Sequence, residues 1–208
     1  MMSKKLPYLM SFVVALCLPV LSAGAVEIPI DNPGFEDPVL ADGAYEYSMD
    51  DEGWGYVDND GYLGPWNPQN ADYVGEAPEG ENVGWVEPGS GVPCGFAQVL
   101  LDPEAVLKAG SYTLTVEGGA ARTYTSGGYK VQLLAGGTPH TPGTGADYTG
   151  PVTGGTLLAE DNNSLTIAVD TFETSTVTYT YNPAHSGLLG EPLQIRLLSL
   201  GNVVVDDY

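Results

Sequence analysis

The sequence predicts an all-β sandwich, on three observations. Apolar and polar residues alternate with period two along several short runs. Gly, Pro, Asn and Asp separate these runs. No amphipathic helix of useful length is present, and only residues 102–108 suit a single helical turn. Residues 111–119 set Tyr112, Leu114 and Val116 against Thr113, Thr115 and Glu117, and residues 128–137 alternate in the same way. Residues 171–181 are rich in Thr and aromatics, which suit a pleated surface. Residues 192–200 and 202–207 read as two further strands around a turn at Gly201 and Asn202. Shorter strands are predicted at 26–30, 45–47, 82–86 and 97–101. Many short strands with frequent turn signals indicate two packed antiparallel sheets. Residues 50–78 and 138–155 read as loops. The first is full of aromatics, and loops on a rigid scaffold commonly carry binding residues.

Residues 1–25 read as an export signal. Lys4 and Lys5 start it, residues 6–21 are mostly apolar, and Ala23-Gly24-Ala25 fits the small-residue cleavage rule. Pro7 and Pro19 interrupt the apolar stretch, which is shorter than the roughly 20 residues that span a bilayer. A secreted or periplasmic single domain over 26–208 is therefore expected, with no stable membrane insertion after cleavage. Without Lys4 and Lys5, four of the six Lys and Arg remain against 27 acids, a net charge of 4 − 27 = −23. Such a surface repels nucleic acid and anionic membranes. Cys94 is the single cysteine after residue 25, so no intramolecular disulfide forms, and a bound metal is an alternative staple.

The segment "NPGFEDP" (32–38) crowds acids around one apolar anchor, Phe35, and "NVVVDD" (202–207) places two more acids near the other end. The first and last strands of a jelly-roll sandwich commonly lie side by side. Carboxylates from both ends could then share one calcium ion, which takes six to eight oxygen ligands. Glu36 and Asp206 are the first candidates, with Asp31 and Asp37 behind them. "DNDG" (58–61) lacks the earlier oxygen ligand of a calcium loop, because Tyr56 stands there. Trp66, in "GPWNP", is the foremost ligand contact, with Tyr56 and Tyr129 beside it, since flat aromatic faces stack on sugars or on an indole. Trp54 and Trp85 are assigned to the core, and Cys94 to a small packed thiol. His140 and His185 have no zinc-site spacing. Asp206 and Asp207 are adjacent in a strand and point to opposite faces. If Asp206 binds calcium at the sheet edge, Asp207 is free to act as a general acid in a cleft.

"NPGFEDP", "LKAGSYTLTV" (107–116) and "VVVDD" (203–207) resemble the carbohydrate-binding-module type of β-jelly roll. "FEDPVLADGAY", "GPWNPQNADY", "APEGENVGW" and "GGYKVQLLAGG" are similar to an exported bacterial group that includes the calcium-dependent Stig cyclases of cyanobacterial indole alkaloids. The resemblance implies a jelly-roll β-sandwich of two antiparallel sheets and a structural calcium held by a glutamate after the first Gly-Phe. It also implies, for the cyclases, an aspartate near the C-terminus that protonates the substrate in an aromatic cavity. Related chains continue past such a final acid pair with an apolar stretch, which implies here a short last strand or a truncated product. Two functions are expected. The first is a secreted, calcium-stabilised binding module for a small neutral or aromatic ligand, with glycan in first place. The alternative is a Stig-type cyclase that performs acid-catalysed rearrangement and cyclisation of an isonitrile-bearing prenylated indole, with Asp207 as its acid.

Overall fold

The described residues form ten strands: β1 (Gly55–Val57), β2 (Gly61–Trp66), β3 (Val83–Pro88), β4 (Cys94–Val99), β5 (Ser111–Ala120), β6 (Tyr129–Ala135), β7 (Thr156–Asn162), β8 (Thr171–Thr180), β9 (Leu193–Ser199) and β10 (Asp206–Asp207). This computed structural model describes residues 26–47, 53–57, 61–69, 72–73, 77–88, 93–122, 127–141, 151–200 and 206–207, the last pair by backbone alone. The expected signal segment and most of "DNDG" lie outside the described residues.

The strands form two five-stranded antiparallel sheets. The first has the order β1-β4-β9-β6-β7, and the second β2-β3-β10-β5-β8. Their inner faces close over one apolar cluster that includes Phe96, Leu114, Val131, Val177 and Ile195, giving a jelly-roll sandwich. Alternation explains the pairing of β5 with β8, which match over all ten positions. Leu114 faces Val177 on the buried side, while Thr113 and Thr115 face Thr178 and Thr176 on the wet side. Pro65 sits in β2, which is an edge strand, where a missing backbone donor costs no central ladder bond.

Several expectations are corrected. Residues 26–30 form no strand. Instead Gln98 stands in for a ladder partner, its Oε1 accepting from the Asp31 N–H and its Nε2 donating to the Asp31 carbonyl, both at 2.9 Å. Tyr45 makes only an isolated bridge to Trp66. The expected loop at 50–78 contains β1 and β2, and β7 was not anticipated. Residues 102–108 make no more than the expected single turn, with the Ala105 N–H donating to the Asp102 carbonyl at 2.9 Å, and among the described residues the one short 3₁₀ helix is Pro183–Leu188.

The acids of "NPGFEDP" have a structural task. Phe35 is 1% exposed and packs on Phe96 and Trp54, with ring centroids at 4.8 and 5.3 Å. Gly84 makes room for it, since a Cβ there would lie 2.5 Å from the Phe35 ring. Trp54 donates from Nε1 to the Asn32 carbonyl at 2.9 Å. Glu36 Oε1 then accepts from the backbone N–H groups of Glu81 and Asn82, both at 2.8 Å, and Asn82 Nδ2 donates back to the carbonyls of Phe35 and Pro38. This reciprocal clasp ties the loop to the start of β3. Removing the carboxylate leaves two N–H groups without their acceptor. Glu36→Ala is therefore expected to lower stability by about 2 kcal/mol, read as a lowered urea midpoint.

A buried carboxylate closes the far side of the sandwich. β7 and β8 are edge strands of different sheets. Asp161 on β7 is 7% exposed and its Oδ2 accepts from Ser175 Oγ of β8 at 2.6 Å and from Tyr129 Oη of β6 at 2.7 Å. Its Oδ1 accepts from the Ser164 N–H at 3.1 Å. Burial pushes this carboxyl up, but the hydrogen bonds from Ser175, Tyr129 and Ser164 outweigh it and hold it below the ordinary range. For Tyr129 burial comes first and the Asp161 contact second, and both push the phenol up.

Candidate active site

The outer face of the second sheet carries an aromatic groove of about 350 Å³, lined by Tyr45, Tyr47, Trp66 and Trp85 with Gln69, Asp72 and Glu87 among them. Strand parity creates it. Val86 is fully buried in the core, so its neighbours Trp85 and Glu87 point to the opposite face. Trp66 at the end of β2 stands beside them, one strand over. Tyr45 and Tyr47 meet Trp85 edge-on, with centroids at 6.0 and 5.5 Å, and Tyr47 leans on Tyr62 at 5.2 Å. Tyr47 Oη donates to Tyr45 Oη at 3.4 Å, and this bond, followed by burial and the neighbouring Tyr45, Tyr62 and Glu87, keeps its phenol protonated beyond the usual range. Beside the groove Tyr73 lies 6.3 Å from Trp66 and stacks on Phe172 at 4.6 Å.

One register row crosses this sheet. Gly64 pairs with Trp85, Trp85 with Asp207, Asp207 with Gly119, and Gly119 with Phe172. Residues directly opposite in an antiparallel ladder belong to the same face. Asp207 thus holds a central register position between the aromatic groove and Phe172. Gly119 matters here: a Cβ would come within 2.5 Å of the Phe172 ring, so glycine lets that ring lie across β5. Asp206 pairs with the core residue Val86 instead.

The predicted site residues divide. Trp66 lines the groove. Trp85, assigned to the core from sequence, is 7% exposed but forms a groove wall. Tyr56 belongs to β1 of the other sheet, paired with Phe96, and does not share the groove. Tyr129 is corrected to a core residue: it is 2% exposed, its hydroxyl donates to Asp161 and accepts from the Leu165 N–H at 3.1 Å. Trp54 is a core residue, and Cys94 is fully buried in β4. The expected meeting of carboxylates from the two chain ends involves the Asp206 side chain, which lies outside what is described; the edge position expected for the last strand is corrected. β10 lies inside its sheet, between β3 and β5, rather than at an edge beside residues 26–30. Glu36 and Asp31 have separate partners, and no group of three His, Cys, Asp or Glu suited to a metal gathers among the described residues. A further cavity of about 260 Å³ lies between β3 and β5 under the Phe35 loop, walled by core side chains such as Trp54, Leu114 and Ile195.

The family model described as HpiC1-like, HpiC1 cyclase, matches residues 26–149 and 151–207. The chain belongs to the HpiC1-like cyclase family. Solved Stig cyclases of this kind superpose over most of its length. Fisc from Fischerella sp. TAU, solved with (3Z)-3-(1-methyl-2-pyrrolidinylidene)-3H-indole, is 31% identical over 88% of this chain and 93% of its own, with a TM-score of 0.70. A cyclase from Fischerella sp. TAU in complex with 4-(1H-indol-3-yl)butan-2-one gives 32% identity, 88% and 93% coverage and a TM-score of 0.69. An apo cyclase from Fischerella sp. gives 33%, 90% and 98%, with a TM-score of 0.67. No curated protein sequence matches. Membership in the HpiC1-like family, with cyclases as its solved relatives, overturns the expectation of a carbohydrate-binding module. The alternative reading is the one these comparisons favour.

Proposed function

We propose that this protein is a Stig-type cyclase acting on an isonitrile-bearing prenylated indole. The observation that carries the proposal is the register row, which sets an ionisable residue, Asp207, opposite Trp85 in the sheet that bears the aromatic groove. In this reading Trp66, Trp85, Tyr45 and Tyr47 hold the indole by stacking and exclude water from it. The Asp207 carboxyl gives its proton to the prenylated substrate. The resulting cation rearranges and closes a ring onto the indole, then loses a proton, which returns to the carboxylate. Product and substrate are therefore isomers. The test is incubation of the purified protein with such an isonitrile, followed by chromatography and mass spectrometry. A new peak of unchanged mass supports the reading. No conversion, under conditions where 4-(1H-indol-3-yl)butan-2-one binds, overturns it.

Calcium belongs to this proposal as a stabiliser. The donor chemistry supports it in one respect: Glu36 is a carboxylate already fixed by two N–H groups, with Asp31 and Asp37 on the same segment. The proposed chemistry requires nothing of such a site. Excess calcium is expected to raise Tm by several degrees over chelator, following the roughly 2.7 kcal/mol that a ligand at a hundredfold excess over its Kd supplies. Equal Tm values in both solutions would remove calcium from the proposal. Export through residues 1–25 is the remaining part, checked by sequencing the N-terminus of the mature protein, which should begin at Val26.

A further inference from the structure

The groove holds two carboxylates that the proposed reaction does not use. Asp72 and Glu87 line it together with four aromatic rings and the amide of Gln69. No Lys, Arg or His lines it, and neither acid is ion-paired to a basic side chain among the described residues. The Asp72 Oδ2 accepts from the Gln69 N–H at 3.0 Å, which fixes the carboxylate at the lip. Arg122, whose backbone N–H donates to the Asp72 carbonyl at 2.7 Å, places its guanidinium on Asp170 at 2.9 Å. A purely neutral, apolar ligand gives such acids no partner and takes water from them. Aromatic faces combined with unpaired carboxylates are instead the chemistry that recognises an organic ammonium.

We propose that the groove selects for positive charge, and that a permanent organic cation carrying an aromatic group binds it better than its neutral isostere. Asp72 and Glu87 supply the charge selection, and the rings of Trp66, Trp85, Tyr45 and Tyr47 supply the faces. The assignment rests on the reading of this groove as the ligand site. It adds two residues that set specificity and names a class of competitive ligand, quaternary alkylammonium indoles.

Calorimetric titration with two probes tests it. One is 2-(1H-indol-3-yl)ethyl-trimethylammonium, and the other is 3-(3,3-dimethylbutyl)-1H-indole, which has carbon in place of the charged nitrogen. The wild-type protein is expected to bind the cation about tenfold more tightly. Asp72→Asn and Glu87→Gln should each weaken the cation several-fold and leave the neutral probe within about twofold, a split that general misfolding would not produce. Equal binding of the two probes by wild type overturns the proposal. A preference that survives intact in the double variant also overturns it, because the chain's overall acidity would then be its source. If neither probe binds while the isonitrile substrate is converted, charge selection fails and the cyclase reading stands. If neither binds and no conversion occurs, the groove is not the ligand site and both readings fall.

Discussion

Replacing Asp207 with asparagine is expected to cut turnover of the isonitrile substrate by about 10²- to 10⁴-fold, the usual worth of a positioned acid. Asparagine keeps the shape and the hydrogen-bonding ability but has no proton to release. The fold should survive, since residue 207 contributes its backbone to the ladder with Trp85 and Gly119 and the exchange leaves that backbone unchanged. Affinity for 4-(1H-indol-3-yl)butan-2-one should change only a few-fold, because stacking on the groove walls remains. Asp206→Asn is the control. Its register partner is the core residue Val86, so it is expected to affect melting more than turnover. If the two variants lose turnover to the same extent, the separation of roles along this strand is wrong. Wild-type turnover in Asp207→Asn would move the acid elsewhere.

The second large effect concerns stability. Asp161→Ala strips the acceptor from Ser175 and Tyr129, both buried, and from the Ser164 N–H. Leaving buried donors unpaired costs about 1–3 kcal/mol each when they cannot reach water. A net loss of roughly 3 kcal/mol, or about 10 °C in Tm, is expected for a domain of this size. The same carboxylate gives stability a pH dependence of known sign. Its folded pKa lies below the ordinary value of 3.8, so the unfolded chain binds its proton more tightly. Its contribution is complete above that value and drains away as pH falls through the lower folded one. Wild type should therefore lose urea resistance on acidification below about pH 4 more steeply than Asp161→Asn, which has no proton to bind there. Parallel curves for the two proteins would contradict this.

The sandwich was legible because alternation is a local signal. The strands at 111–119 and 171–181 announce themselves residue by residue, and the structure pairs them in full. What stayed hidden depends on parity and on partners distant in sequence. Trp85 and Val86 are both apolar neighbours, and nothing in "VGWVEP" says which of them takes the core. The structure gives the core to Val86 and the groove to Trp85. Tyr129 read as a ligand contact because its partner Asp161 sits in an unanticipated strand, behind a Gly- and Thr-rich stretch. Residues 26–30 have a strand-like pattern but no strand, because a side-chain amide, Gln98, takes the place of a neighbouring backbone. Glu36 was singled out as a calcium ligand, and the structure shows its carboxylate held by backbone N–H groups. Sequence could not foresee that backbone N–H groups of Glu81 and Asn82 would be its partners.

The place of β10 has a kinetic consequence. Its two neighbours, β3 and β5, come much earlier in the chain, and Asp207 meets Trp85 across about 120 residues. The middle of the second sheet is thus filled by residues that follow every other strand. Until they arrive, β3 and β5 each present a bare edge, and such edges recruit strands from other molecules. Closing contacts this distant in sequence is slow. Refolding from urea should therefore be slow and should yield less native protein as the concentration rises, with the register row through Trp85, Asp207 and Gly119 among the last features to assemble.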